Sequence, residues 1–162
     1  MHERDAPARV RAALRATGVL VLVIAVDQGT KHTLGTWIVP GQVRHVIPGV
    51  ELVYERNSGI AFSLLQGAGP LLYLVSGAVV VTLAAVLMLR PRRGLLWLPV
   101  GMLIGGAVSN LIDRVALGSV IDFIKLPHWP AFNVADISIT FGAVIMAVLI
   151  EFGGDADDDG QA

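Results

Sequence analysis

The chain has 162 residues, of which 54% are hydrophobic and 15% charged, against roughly 45–50% apolar and about 25% charged in ordinary globular domains. That balance argues against a soluble domain, and a net charge of −1 gives no reason to invoke nucleic acid or a broadly acidic partner. The absence of cysteine excludes disulfides, thiolate metal sites and cysteine nucleophiles.

Arg4, Arg9, Arg11 and Arg15 precede the apolar run TGVLVLVIAV. A cleaved signal peptide is the rival reading, but no A-x-A-like site follows the run, so an uncleaved first span over 14–34 is expected. It must carry Asp27 and Lys31 near its far end, four apart and able to pair along one helix face. In the link that follows, RHVIPGVELVYERN reads as two short β-like runs around Pro48-Gly49, a pair suited to a tight turn. Residues 67–89 are 23 uncharged residues in a row and 94–112 are 19, and about 20 apolar residues suffice to cross a bilayer. On the third span, 94–113, Gly101, Gly105 and Ser109 recur every four residues, a spacing that lets helices approach closely. VIDFIKLPHWPAFNVAD, with Pro127, Trp129 and Pro130, reads as an interfacial loop, and Trp97, Phe123 and Trp129 as aromatic anchors. A fourth span is expected over 134–152, opened by Asp136, and 153–162 as a disordered acidic tail.

The expected architecture is therefore an all-α membrane protein. A single domain over 1–152 has four transmembrane helices, with a small extracytoplasmic β-sheet formed by the first outer loop. Arginines crowd the N-terminus and the link holding Arg90, Arg92 and Arg93, which places both termini in the cytoplasm and the two longer links outside.

This topology gathers Asp27, Asn110, Asp113, Arg114, Asp122 and Asp136 at the outer face. Ionisable groups cost about 2.5–3.5 kcal/mol each at a helix centre, so such a cluster needs partners or a purpose. Each has a plain structural reading: Asp27 and Lys31 as a helical ion pair, Asp136 as an N-cap, Asp113 as an anchor for Arg114, Asn110 and Arg114 as packing glue. The four histidines lack metal-ligand spacing, and no H-E-x-x-H, G-x-S-x-G or phosphate-binding glycine motif is present. Carboxylate chemistry remains, since two neighbouring aspartates can share one proton.

Five blocks in order carry a resemblance: VDQGTK (26–31), NSGIAFS (57–63), GGAVSNLIDR (105–114), GSVIDFI (118–124) and FNVADISI (132–139). Together they resemble the lipoprotein signal peptidase (signal peptidase II) family of bacterial membrane aspartyl proteases. The resemblance implies a catalytic dyad of Asp122 and Asp136. It also implies substrate-binding polar positions at Asn57, Asn110, Arg114 and Asn133, and structural support from Asp27, Lys31, Gly105 and Asp113. Ser109 stands where the family usually has glycine. The implied reaction removes the signal peptide from diacylglyceryl-modified prolipoproteins, just before the lipid-bearing cysteine, with no metal or organic cofactor. The implied setting is the bacterial cytoplasmic membrane, and a monomer is expected. An ion-coupled transporter should place its carboxylates near the midplane, often in broken helices, and a scaffold would leave the aspartates without a role.

Overall fold

The computed structural model describes residues 6–58, 69–89 and 94–152. Arg4, the later part of the NSGIAFS block, Arg90, Arg92, Arg93 and the acidic tail lie outside the described residues. Four helices and three strands follow in the order α1 (Ala6–Trp37), β1 (Arg44–Ile47), β2 (Val50–Asn57), α2 (Gly69–Leu89), α3 (Trp97–Leu117), β3 (Val120–Lys125) and α4 (Val134–Phe152).

The first helix begins earlier than the apolar run. Its 32 residues include Arg9, Arg11 and Arg15, because arginine is a good helix former and charge marks the end of a span, not of a helix. Arg15 lies 5.7 Å from the centroid of the Trp97 ring, so this tryptophan meets a cation. The helix stops before Pro40, whose ring disfavours helical backbone in the residue ahead of it. The third helix runs through Asp113 and Arg114 to Leu117 and closes on Gly118. There φ is 73° and the amide donates to the Arg114 carbonyl at 3.0 Å, an end that glycine permits at no steric cost.

The two β-like runs form a hairpin. Arg44 pairs with Leu52 and Ile47 with Val50, across a turn in which Gly49 has φ of 81° behind Pro48. The sheet is larger than the first link alone supplies: β3, from the segment expected as loop, pairs antiparallel with β2, giving the order β1-β2-β3. Val120, Ile121, Asp122 and Phe123 are all buried. With both faces covered, this strand lacks the apolar and polar alternation that would have marked it. Beyond it, Leu126–Pro127–His128–Trp129 turns the chain back, with Trp129 N–H donating to the Leu126 carbonyl at 3.2 Å and His128 at φ of 60°. Phe132 then bonds in both directions with Ile124, which sets Asn133 beside Asp122.

Helix α3 is the axis, packed against α1 on one side and α4 on the other. Its glycines make this possible. A Cβ at Gly105 would stand 3.0 Å from Val23 Cβ and 3.1 Å from the Leu20 carbonyl oxygen, and one at Gly106 only 2.6 Å from the Ala135 oxygen. The four-residue spacing of Gly101, Gly105 and Ser109 thus fits α1, while Gly106 fits α4.

Burial is divided by chemistry. An apolar cluster of Ala12, Ala16, Leu87, Leu96 and Val100 sits at one end, and buried Asp27, Lys31, Ser109, Asn110, Asp113, Asp122 and Asn133 sit at the other. Large apolar side chains are exposed along the helices, among them Leu14 and Leu22 on α1, Val81 on α2 and Phe141 and Ile150 on α4. Among the described residues, α3 and α4 are long and apolar enough to cross a membrane.

Candidate active site

The polar end is organised around Lys31. Its ammonium lies 2.6 Å from Asp27 Oδ2 and 2.8 Å from Asp113 Oδ2, and donates to Asn110 Oδ1 at 3.3 Å. Three N–H donors thus meet three acceptors, which is what burial of an ammonium requires. Asp27 and Lys31 form the expected helical pair, extended by a second carboxylate.

Each of these aspartates also grips an element that carries one member of the expected dyad. Asp27 Oδ1 accepts the Ala135 amide at 2.9 Å, one of the unsatisfied donors in the first turn of α4, where negative charge is favoured. Asp113 Oδ2 accepts the Ile121 amide at 3.1 Å and so fixes β3 next to Asp122. Asp113 is therefore tied to Lys31 and β3.

Two further residues complete this layer. Ser109 Oγ donates to Asp27 Oδ2 at 2.7 Å, and Gln28 Nε2 reaches Ser109 Oγ at 3.1 Å and Asp113 Oδ1 at 2.8 Å. Ser109 is thus a hydrogen-bond donor to the Asp27 carboxylate. Gln28 had no role assigned from sequence, though its place next to Asp27 inside VDQGTK was the available signal.

Asp122 and Asp136 come from different elements and are joined through Asn133. The Asn133 side-chain amide donates to Asp122 Oδ1 at 2.8 Å and to Asn110 Oδ1 at 3.1 Å. Its backbone N–H donates to Asp136 Oδ2 at 3.1 Å, and its side-chain oxygen accepts the Asp136 N–H at 2.9 Å. This reciprocal pair is a capping box, with Asn133 the N-cap of α4 and Asp136 three residues in. Asp136, expected as the N-cap, is instead the third residue of the helix, and Asn133 is the cap. The outer oxygens are also held, Asp122 Oδ2 by Asn57 Nδ2 at 3.0 Å and Asp136 Oδ1 by Asn110 Nδ2 at 2.9 Å. Gly105 gives α1 its place, and Arg114 Nη1 bonds the Asn110 carbonyl at 3.4 Å.

Burial pushes the Asp122 carboxyl up to about 6, helped by the Asp136 charge and opposed by the bonds from Asn57 and Asn133 and by Lys31. A carboxyl in that range exchanges its proton near neutral pH, as acid–base catalysis needs. Among the described residues, no group of three or more His, Asp or Glu could hold a metal ion.

The family profile described as Signal peptidase (SPase) II matches residues 19–152. A lipoprotein signal peptidase of Moorella thermoacetica is 41% identical over 128 residues, covering 78% of this chain and 85% of that one. One from Mycobacterium bovis is 36% identical over 168 residues, covering 98% and 82%. A bacterial membrane enzyme solved by the in meso method at 2.3 Å superposes with a TM-score of 0.78 at 26% identity, over 91% of this chain and 93% of that one.

Proposed function

The chain belongs to the signal peptidase II family of peptidases, which remove signal peptides from prolipoproteins, and on that premise we propose that it cuts by an aspartyl mechanism with Asp122 and Asp136 as the dyad. The observation that carries this reading is the pair of carboxylates from β3 and α4 bridged by Asn133. One aspartate, ionised, takes a proton from the attacking water; the other, protonated, polarises the scissile carbonyl and then helps protonate the leaving amine. Like charges at close range favour one shared proton. Asn110 and Asn133 orient the two carboxylates, and Asn57 and Arg114 at the rim are the candidates for holding the substrate backbone.

The setting follows from the same reading. The chain is a multi-pass protein of the bacterial cytoplasmic membrane, one domain over 1–152 with four spans, both termini cytoplasmic, and the sheet and dyad at the outer face. Exposed apolar side chains on α1, α2 and α4 support it, as does the arginine count. A diacylglyceryl group on the substrate cysteine would dock against these helices and set the depth of the bond to be cut. Binding energy from such remote parts serves to position the reacting group.

The test is cleavage of a diacylglyceryl-modified precursor by purified protein in detergent. Asp122→Asn and Asp136→Asn should each lower kcat/KM by about 10³-fold or more while the protein stays folded. Near-normal turnover by either variant removes that residue from the dyad. A cysteine placed at Ser58 should be labelled only from the outer side.

A further inference from the structure

Strand β2 does not run in simple register with β3. Leu52 pairs with Ile124, yet Glu55 pairs with Asp122, so three residues advance on β2 against two on β3. The irregularity is a bulge, and a one-residue slip exchanges the faces of everything beyond it. Without it, Tyr54 would oppose Asp122 and Asn57 would lie on the other face. With it, Glu55 and Asn57 share the face of Asp122, and Asn57 Nδ2 meets Asp122 Oδ2 at 3.0 Å.

A bulged register needs something to hold it. Arg56, opposite Ile121, projects from the other face and reaches the corner between α3 and β3. Its Nε donates to Ser119 Oγ at 2.9 Å and its Nη2 to the Leu117 carbonyl at 2.6 Å. That carbonyl is one of the acceptors at the end of α3 that have no partner within the helix. The guanidinium fork therefore ties the end of β2 to both sides of the corner.

We propose that Arg56 is a positioning residue: by clamping β2 to the α3–β3 corner it fixes the bulged register that presents the Asn57 amide to Asp122. The inference rests on the reading of Asp122 as a member of the dyad. The charged groups that face Asp122 are Lys31 from α1 and Asp136 from α4, with Glu55 its cross-strand partner on β2. Because the Asn57 bond favours the ionised form, its loss raises the pH at which Asp122 titrates.

The experiment is the pH profile of kcat/KM for a diacylglyceryl-modified precursor, read for wild type, Arg56→Met, Arg56→Lys, Ser119→Ala, Asn57→Ala and the Arg56→Met/Asn57→Ala double variant. Arg56→Met should lower kcat/KM about tenfold and move the limb near pH 6 upward by about half a unit or more, the scale of one hydrogen bond. Arg56→Lys keeps the charge and one contact, and should recover part of the rate. Ser119→Ala changes no charge, should shift the limb less but in the same direction, and carries the test if Arg56→Met does not fold. In the Asn57→Ala background, Arg56→Met should add less than about twofold. An unmoved limb in Ser119→Ala and Arg56→Met, or full additivity in the double variant, overturns the proposal. Should Asp122→Asn retain turnover, the dyad reading itself fails, whatever Arg56 does.

Discussion

Asp27 and Asp113 close on the buried ammonium of Lys31, whereas Asp122 and Asp136 are held by the amides of Asn57, Asn133 and Asn110. The first pair has a fixed counter-charge and also accepts one backbone N–H each from α4 and β3. The second pair is aimed by neutral groups that leave room for a proton to come and go. Anchoring thus falls to carboxylates on α1 and α3, and the proposed chemistry to carboxylates on β3 and α4.

The comparison is broken most severely at Lys31. Lys31→Met leaves two buried carboxylates without their cation and should cost about 3–5 kcal/mol, read as a loss of folded protein and a lower unfolding midpoint in detergent. Activity should fall with it, since α4 and β3 lose their anchors. A folded, active Lys31→Met protein would show that the first pair is not what holds the second.

A steric route separates position from charge. Gly106→Ala puts a Cβ against the Ala135 oxygen, in the turn that carries Asp136. It should cost about 1–3 kcal/mol by forcing α3 and α4 apart, with kcat falling before the helices unfold. Thermal unfolding and single-turnover rates on one preparation check it.

The proposed dyad should show the opposite stability sign. Folding raises the Asp122 carboxyl from 3.8 to about 6, so the folded state binds the proton more tightly and stability is lost as pH rises between those values. Asp122→Asn avoids that loss and should be more stable than wild type by about 1–3 kcal/mol above pH 6, provided the Asn57 amide turns to accept. The advantage should fade toward pH 4. Unfolding midpoints at pH 4 and pH 7 decide it, and equal differences at both would remove burial as the cause.

The smallest change sharpens the first pair. Ser109→Ala removes one donor to Asp27 but leaves Lys31 in place, and should cost about 1 kcal/mol with the pH profile unmoved.

Much of this was legible in the chain. The hairpin around Pro48-Gly49 announced itself by turn chemistry, and VIDF and NVAD marked the aspartates through the family resemblance. What escaped has a common cause. Strand β3 is covered on both faces and carries no period, and the contacts of Gln28 and Arg56 join residues 81 to 85 and 61 to 63 apart in sequence. Local pattern cannot report a partner that only folding supplies. Gly106 was hidden differently: its neighbour Gly105 fitted the four-residue spacing, and the second glycine faces another helix.

The i,i+4 pairing of Asp27 with Lys31 also bears on how the protein is made. Within the proposed membrane topology, α1 leaves the ribosome long before α3 and α4 exist, and its two charges already neutralise one another inside a single helix. The segment can enter the bilayer without waiting for a partner. Asp113 joins when α3 arrives, and the Ala135 amide, 108 residues from Asp27, closes the set last. Assembly should therefore add acceptors and donors to a pre-formed pair, and a nascent chain halted before α4 should be inserted and protease-protected along α1 while Asp122 still lacks Asp136 beside it.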